Sequence, residues 1–280
     1  MASKAVLITG CSSGIGHATA QCLNAAGWKV YATARRPETI ADLQLQGATT
    51  LALDVTDEAS MSAAVQQVTE AEGAVGVLIN NAGYSQSGAV ESVSIKDAQR
   101  VFETNVFGLI RMCQLVLPQM RDQRWGKIVN ISSMGGRLVF PGAGFYHATK
   151  YAVESISDAL RFEVRGFGVD VILIEPGLIT TRFGDVAAQS VSSAGEQGPY
   201  SEFNRSVARA TANVYHGPLV RLGGGPEKVA ATVAHALAAD RPKARYKVTP
   251  SAHLLIGQRR ITPDRVWDLI MRAQFPTPRA

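Results

Sequence analysis

Thr9-Gly10-Cys11-Ser12-Ser13-Gly14-Ile15-Gly16 is the stretch that decides the fold of this 280-residue chain. It joins an apolar run, residues 5–8, to a segment of helical composition that begins near Gly16. Glycines in such a turn let the backbone approach a pyrophosphate, and the N-terminus of the following helix offers free N–H groups to the anion. The pattern is weak alone but strong between a first strand and a first helix. We therefore expect a nucleotide to bind through Gly10, Ser12, Ser13, Gly14, Ile15 and Gly16.

Short apolar runs recur along the chain and alternate with segments of helical composition. Because the runs are nearly continuous in Val, Ile and Leu, they predict strands buried on both faces. The alternation predicts an α/β fold, a single Rossmann-type doubly wound parallel sheet of about seven strands with helices on both faces. The predicted strands are residues 5–8, 29–34, 50–53, 75–80, 127–131, 169–174 and 245–248. The predicted helices lie near 14–26, 57–72, 97–121, 145–166 and 226–239.

The sequence shows no internal repeat and no linker, so we predict one domain over residues 1–280. Residues 182–225 break the strand–helix pattern, and we expect this insertion to be a lid over a substrate. Residues 250–280 form a C-terminal extension, in which Thr262 is expected to cap an amphipathic helix with Pro263 in its first turn. Such a helix can contact a membrane, cover a pocket or join an oligomer. Packing on its own domain is the simplest interpretation.

The composition excludes several classes of protein. Lys and Arg exceed Asp and Glu by five, but the basic residues are scattered and lack the interleaved aromatic residues of a nucleic-acid-binding surface. The three cysteines have neither paired spacing nor neighbouring histidines, so the sequence predicts no disulfide framework and no metal site. The first apolar run is too short for a signal peptide or a membrane span. We expect a cytoplasmic protein with no nucleic-acid partner.

A tyrosine and a lysine one helical turn apart, Tyr146 and Lys150, are the best candidates for chemistry. Residues at i and i+4 share one helix face, so their polar ends can cooperate. A free phenol has a pKa of about 10. An ammonium within about 4–6 Å lowers the pKa of a phenol by about 1–3 units, into the range useful for proton transfer. This spacing also arises often by chance, so the pair needs support from the rest of the chain.

The end of the second predicted strand indicates which nucleotide binds. About twenty residues after the glycines, a dinucleotide with a free ribose 2′-hydroxyl would meet an Asp or Glu. Arg35 and Arg36 stand there instead, and a guanidinium can hold a 2′-phosphate through two hydrogen bonds. We predict NADP(H), held by Arg35 with Arg36 as second choice; two solvated arginines are the alternative. Asp54, with Val55 beside it, either accepts from the adenine amino group or serves as a helix N-terminal turn residue.

With Asn80-Asn81-Ala82-Gly83, Asn105, Ser133 and Pro176-Gly177 following in order, the chain resembles the short-chain dehydrogenases/reductases over residues 4–250. It is similar to the shorter, oxidoreductase type of that family. Within that type it resembles the branch that holds 17β-hydroxysteroid and retinol dehydrogenases. That branch implies NADP(H) and a small apolar carbonyl or alcohol substrate that is steroid- or retinoid-like.

The resemblance implies a role for each site residue. Tyr146 would be the general acid/base, Ser133 would hold the substrate oxygen, and Lys150 would hold the nicotinamide ribose. Asn105 would anchor a water in a proton relay from Lys150. Ser133 fits the family's spacing better than Ser132, and neighbours in a strand face opposite ways. Further cofactor contacts are implied for Asn81, Ala82, Gly83, Pro176, Gly177, Ile179 and Thr181.

Two of these cofactor contacts have structural alternatives: Asn81 can tie two strands together, and Pro176-Gly177 can be an ordinary turn. Substrate contacts are implied for Ser133, Leu138, Phe140, Tyr146 and Phe183, although apolar side chains of this kind are more often core. His17 and His147 show no partner in the sequence, and we expect ordinary helix positions for both.

The resemblance further implies a homo-oligomer, either a dimer or a tetramer, built through the helices near 97–121 and 145–166. An alternative function is a non-catalytic sensor that binds NADP. A sensor would keep the glycine turn but lose part of the set Asn105, Ser133, Tyr146 and Lys150, and the chain has all four.

Overall fold

The computed structural model describes residues 2–181, 183–184, 191, 198–216 and 221–278. Within these residues, seven parallel strands form one sheet in the order β3-β2-β1-β4-β5-β6-β7. The strands are β1 Val6–Ile8, β2 Val30–Ala34, β3 Thr49–Ala52, β4 Val77–Asn80, β5 Gly126–Ile131, β6 Val169–Pro176 and β7 Arg245–Val248. The predicted doubly wound parallel sheet is confirmed.

The strand order determines where a ligand can bind. β1 pairs with β2 on one side and with β4 on the other, so the order in which strands are added to the sheet reverses between β1 and β4. A crevice opens at such a point, outside the carboxyl ends of the strands. The glycine turn follows β1 and Asn81 follows β4, so both lie at that crevice.

Helices cover both faces of the sheet, as alternate residues of β1 show. Val6 and Ile8 pack in one buried cluster with Leu23 from the first helix. Leu7, between them, packs in a second cluster with Met112. All three residues of β1 are fully buried, which is why their sequence is continuously apolar.

The predicted helices are present with bounds that differ by at most two residues. They are α1 Gly14–Ala25, α2 Ala41–Leu45, α3 Glu58–Glu72, α4 Ile95–Phe102, α5 Gly108–Asp122, α6 Gly144–Val164, α7 Ser201–His216, α8 Pro226–Ala238, α9 Pro250–Ile261 and α10 Asp264–Gln274. The helix predicted near 97–121 is present as a continuous helical segment from Ile95 to Asp122, but it is not α-helical throughout. A π-helical turn, Glu103–Phe107, separates α4 from α5, and such turns are frequent at functional sites.

The predicted insertion at 182–225 contains α7, which the sequence analysis did not identify. Asn204 in α7 accepts a hydrogen bond from the backbone N–H of Ala89 at 2.9 Å and is buried. This contact docks α7 on the loop after β4. Residues 182, 185–190, 192–197 and 217–220, on which much of the predicted lid falls, lie outside the described residues.

The C-terminal extension packs on the domain through α9 and α10. Trp267 and Met271 of α10 join Leu138 and Leu178 in a third buried cluster. The predicted cap is wrong, since α10 begins after Pro263 and the hydroxyl of Thr262 donates to Gln258 O in α9. No helix among the described residues has both the length and the apolar character needed to cross a bilayer.

Candidate active site

The glycine turn after β1 is compact and needs its glycines. Gly10 and Gly14 have φ angles of 73° and 60°, which are unfavourable for other residues. A Cβ on Gly16 would overlap with Gly10 O and with the side chain of Asn81. The N–H of Cys11 donates to Thr33 O at 2.7 Å, which ties the turn to β2.

The N-terminus of α1 is open to a ligand. Ser13 is the N-cap with extended backbone, its side chain makes no capping hydrogen bond, and the first turn of α1 has no acidic residue. Ser12 and Ser13 are both exposed. The N–H groups at this end therefore have neither a side-chain cap nor a competing carboxylate, and the arrangement fits a pyrophosphate.

Arg35 and Arg36 follow β2 directly and are exposed. The end of β2 is held beside the glycine turn, because Thr33 Oγ1 donates to Ile8 O at 2.8 Å. Among the described residues, no carboxylate is paired with either guanidinium. Both arginines are thus placed to meet a phosphate on the adenosine ribose.

Asp54 lies after β3 in a local turn. Its Oδ1 accepts from the N–H of Thr56 at 2.9 Å and from the hydroxyl of Thr56 at 2.8 Å. Asp57 is the residue that caps α3. Val55 is buried against Gly108, where any Cβ would overlap with Val55 O. The structure therefore shows a turn role for Asp54, with contact to an adenine remaining a proposal.

Asn81 ties β4 to the glycine turn. Its Nδ2 donates to Thr9 O and to Gly10 O, both at 2.9 Å, and its own N–H donates to Thr9 Oγ1 at 3.0 Å. These hydrogen bonds match the structural alternative for Asn81, in which its side chain ties two strands together. Ala82 also donates its N–H to Thr9 Oγ1 at 3.0 Å, which brings the backbone of residues 81–83 beside the glycine turn.

Tyr146 and Lys150 lie on the first turns of α6, as the spacing predicts. Lys150 is 7% exposed and its Nζ donates to Ile131 O, the last residue of β5, at 2.8 Å. Nζ is 5.9 Å from the centroid of the Tyr146 ring. Burial lowers the pKa of Lys150 to about 8, although Glu154 nearby opposes this shift. Tyr146 is half-buried.

The two serines after β5 differ in exposure, as alternation in an extended segment predicts. Ser132 is 3% exposed, whereas Ser133 is half-buried. Ser133 begins a 3₁₀ turn, Met134–Gly136, and its hydroxyl accepts from the N–H of Gly135 at 3.0 Å. The O–H of Ser133 can therefore donate a hydrogen bond to a ligand. Of the two serines, Ser133 is the one exposed enough to contact a ligand.

Asn105 holds the loop after β4 against α6. Its Oδ1 accepts from the N–H of Tyr84 at 3.0 Å, while Nδ2 donates to Tyr84 O at 2.9 Å and to Thr149 Oγ1 at 3.1 Å. Gly83 separates this amide from the ammonium: a Cβ there would lie 3.0 Å from Asn105 Oδ1 and 3.9 Å from Lys150 Nζ. Asn105 and Lys150 therefore lie near each other, on either side of Gly83.

The segment after β6 returns to the glycine turn. A Cβ on Gly14 would lie 3.3 Å from Thr181 Cγ2, so Thr181 faces the nucleotide end. Ile179 is 5% exposed and belongs to the core, which leaves its backbone as the part able to contact a ligand. Gly177 lies so close to Thr249 and Ser251 that any side chain would overlap with both hydroxyls. This close approach gives Gly177 a packing role, and contact of Pro176-Gly177 with the cofactor remains a prediction.

The structure places the three predicted apolar substrate residues differently. Phe183 packs against Tyr146 in a tilted arrangement, with ring centroids 5.4 Å apart, and Phe140 is half-buried with its ring 6.0 Å from that of His147. Leu138 is fully buried under the C-terminal helices. Phe183 and Phe140 thus border the site, and Leu138 is a core residue behind it.

Sequence reasoning missed two polar residues of α6. His147 has two partners: Nδ1 donates to Gly135 O at 2.9 Å, and Nε2 accepts from the N–H of Phe140 at 3.1 Å. Thr149 donates to Tyr146 O at 2.7 Å while accepting from Asn105. No short sequence pattern marks the contacts to Gly135, Phe140 and Asn105, because these residues lie in other segments that the fold brings beside α6. His17 also has a partner, Asp42 at 2.8 Å.

Comparison with known proteins is consistent with this arrangement. A family model described as short chain dehydrogenase matches residues 4–191. The 3-ketodihydrosphingosine reductase of Bacteroides thetaiotaomicron is 37% identical over 274 residues, 97% of this chain and 98% of that protein. The NADPH-dependent 3-dehydrocapnine reductase of Ornithobacterium rhinotracheale is 33% identical over 273 residues, 94% of each. The solved structure of a short-chain dehydrogenase from Streptomyces avermitilis has a TM-score of 0.80 and 34% identity, with 97% of this chain and 99% of that chain covered.

Proposed function

The chain belongs to the short-chain dehydrogenase family of oxidoreductases, and from that premise we propose that it interconverts an alcohol and the corresponding ketone or aldehyde with NADP(H). The observation that carries the proposal is the position of Lys150. Its ammonium is buried, bonded to the end of β5 two residues before Ser133, and 5.9 Å from the ring of Tyr146. A tyrosine beside a buried cation at the carboxyl ends of parallel strands is suited to proton transfer.

Each side chain of the site has a separate task in this proposal. Tyr146 gives its proton to the carbonyl oxygen during reduction and takes it back during oxidation. Ser133 donates a hydrogen bond to the same oxygen and stabilises the charge that develops there. Lys150 favours the phenolate that remains, and Asn105 fixes the loop that faces Lys150. The bound dihydronicotinamide supplies the hydride.

NADP(H) is the proposed cofactor because of Arg35 and Arg36. A carboxylate at this position would accept a hydrogen bond from a ribose 2′-hydroxyl, but both residues are arginines. Their guanidinium groups are exposed at the end of β2 beside the glycine turn. The name of the Ornithobacterium relative, which specifies NADPH, supports the same choice. Arg35 is the preferred contact because it comes first after the strand.

The proposed substrate is an apolar ketone, and we infer that it is a long-chain one. Phe183 and Phe140 border the site with apolar rings. The two relatives named above are reductases of 3-ketodihydrosphingosine and of 3-dehydrocapnine, which favours a long-chain ketone over the steroid- or retinoid-like compound that the sequence resemblance implied. A homo-oligomer is also proposed, because Phe107 before α5 and Phe162 in α6 are 53% and 86% exposed.

The proposal is tested by following NADPH absorbance with a panel of carbonyl compounds that includes 3-ketodihydrosphingosine, a steroid ketone and the aldehyde retinal. We expect turnover with the long-chain ketone and weaker or no turnover with the other two. Tight binding of NADPH with no turnover of any member would favour the alternative, a sensor. Turnover of the steroid alone would overturn the inference about chain length but not the reaction class.

A further inference from the structure

A cluster of buried charged side chains lies next to Lys150, where α6 packs on β6 and β7. Glu154, one helical turn after Lys150, is 5% exposed, and Glu175 in β6 is 1% exposed. Arg245 in β7 lies between them, with Nε 3.0 Å from Glu154 Oε2 and 3.4 Å from Glu175 Oε1. Its Nη2 is 2.6 Å from Asp158 Oδ2. Three carboxyl groups therefore share one guanidinium.

Glu154 is the buried carboxyl group that accepts a hydrogen bond from Arg245. Burial raises the pKa of Glu175, and the neighbouring Glu154 raises it further, while Arg137, Arg245 and Lys247 oppose the shift. Arg245 donates its hydrogen bond from Nε to Glu154 and not to Glu175. Ionised carboxylates accept the stronger hydrogen bonds, which agrees with a charge on Glu154.

That charge is only partly compensated. Oε2 of Glu154 is engaged by Arg245 and, at 3.7 Å, by Arg137. Oε1 is buried and accepts no hydrogen bond from any described residue. Gly136 packs closely against this part of α6: a Cβ there would lie 2.9 Å from Glu154 Cγ and 2.9 Å from Lys150 O. Glu154 and Lys150 are four residues apart in α6 and both are buried, so the two side chains are neighbours on one helix face away from solvent.

Lys150 has no carboxylate in direct contact among the described residues. Its ammonium donates to the neutral carbonyl of Ile131 in β5, and the Tyr146 ring lies 5.9 Å away. Asn105, which approaches from the π-helical turn, is neutral. The charged groups on the elements around Lys150 are Glu154 and Asp158 of α6, Glu175 of β6, Arg245 of β7 and Arg137 after the 3₁₀ turn.

We propose that Glu154 is a positioning residue for the reaction: its buried carboxylate keeps Lys150 protonated at neutral pH, so that a cation is available to Tyr146. The consequence for turnover rests on the proposed function, but the coupling between the two side chains does not. The direction of the pKa shifts agrees, because burial lowers the pKa of Lys150 to about 8 and Glu154 is the group that opposes it. Removing that opposing field should therefore lower the protonated fraction of Lys150 at neutral pH.

The coupling can be measured without turnover by carbon NMR of protein labelled at lysine Cε. The chain has eight lysines, and Lys150→Arg assigns the signal of interest. Glu154→Gln should lower the titration midpoint of Lys150 by about 0.5–1 pH unit. Lys127 is an internal control, because burial lowers its pKa as well but its charged neighbours are Asp170, Asp240 and Lys4. Its midpoint should not move.

Asp158→Asn is the matched control for a structural effect. It removes a carboxylate from the same Arg245 but lies one turn farther from Lys150, so the midpoint of Lys150 should stay within about 0.2 units of wild type. The proposal is overturned if Glu154→Gln leaves the Lys150 midpoint in place, or if Asp158→Asn lowers it equally.

Kinetics provide the second readout. In a plot of kcat/KM for ketone reduction against pH, the descending limb should move to lower pH in Glu154→Gln. The shift should equal that of the NMR midpoint. Glu154→Asp, which keeps the carboxylate, should return the limb to its wild-type position. A uniform loss of kcat with an unmoved limb would mean a structural role and would contradict the proposal. If no ketone is turned over, the proposed function fails while the NMR result still decides the coupling.

Arg137→Gln covers the case in which Glu154→Gln does not fold. Arg137 is 41% exposed and lies 3.7 Å from Glu154, so its loss is tolerable for folding. Removing this cation leaves more of the Glu154 charge uncompensated, and the Lys150 midpoint should rise. An unchanged or lowered midpoint would overturn the proposal.

Discussion

Nδ1 of His147 lies 2.9 Å from the carbonyl oxygen of Gly135. This hydrogen bond connects the start of α6, which carries Tyr146, to the loop after β5, which carries Ser133. Nε2 accepts from the N–H of Phe140, so the ring must be neutral to make both bonds, with the proton on Nδ1. Burial lowers the pKa of His147, and the hydrogen bond to Gly135 only partly opposes this.

The stability of the protein should therefore fall with acidification in a way that depends on His147. Because the folded-state pKa is below the unfolded value, the unfolded chain binds the proton first, and stability is lost as pH falls from about 6.5 through the folded pKa. Urea unfolding between pH 5 and 7.5 should show this loss in wild type and a smaller loss in His147→Gln. The matched control is His17→Gln, a surface histidine paired with Asp42. If both variants keep the wild-type slope, His147 is not the group responsible.

Arg35→Ala with Arg36→Ala should weaken NADPH binding by about 10–100-fold, the value of one or two hydrogen bonds to a charged group. NADH lacks the 2′-phosphate, so its affinity should change by less than about twofold. Titration of protein fluorescence with each cofactor gives both constants. Arg265→Ala, another exposed arginine, serves as the control for net charge. Equal losses for both cofactors would remove the arginines from cofactor selection.

Two glycines should respond to alanine in opposite directions. Gly16→Ala forces a Cβ against Gly10 O and Asn81, so the glycine turn must shift, and we expect loss of both stability and NADPH binding. Gly257, inside α9, has open space around its Cβ position. Its replacement by alanine should raise the free energy of unfolding by about 0.5–1 kcal/mol. Thermal and urea unfolding distinguish the two; a tolerated Gly16→Ala would show that the turn is looser than described.

Trp267 should link the C-terminal helices to the stability of the site. It is 7% exposed and packs near Phe140 with ring centroids 6.3 Å apart. Trp267→Ala should cost about 3–5 kcal/mol of unfolding free energy and raise KM for an apolar ketone. Leu269→Ala, on the exposed side of α10 at 62% exposure, should change stability by less than about 0.5 kcal/mol. Similar effects of both substitutions would contradict the packing described for α10.

The sheet and the glycine turn were predictable because their signals are local. Each buried strand is a short apolar run, and each is followed by the turn or polar group that the fold requires at its carboxyl end. The spacing of Tyr146 and Lys150 likewise follows from helix geometry. These features depend on neighbouring residues in the sequence, which is what pattern reasoning detects.

The features of the fold and of the site that could not be predicted depend on contacts between segments distant in the sequence. The π-helical turn at Asn105 coincides with side-chain bonds to Tyr84 and Thr149, and the sequence of 97–121 alone is that of an ordinary helix. Thr262 was a reasonable cap by residue type, but its hydroxyl bonds back into α9. The contacts of His147 depend on backbone groups in the loop after β5, and those of Glu154 depend on Arg137 and on Arg245 of β7. Only the folded chain brings these groups together.

The rate of hydride transfer in a single turnover tests the central claim, that Tyr146 transfers the proton. Enzyme in excess is mixed with NADPH and the best ketone of the panel, and loss of NADPH absorbance is followed for wild type and Tyr146→Phe. We expect a rate lower by about 10²–10⁴-fold in the variant, with NADPH affinity within about twofold of wild type. A rate in Tyr146→Phe close to that of wild type would contradict it.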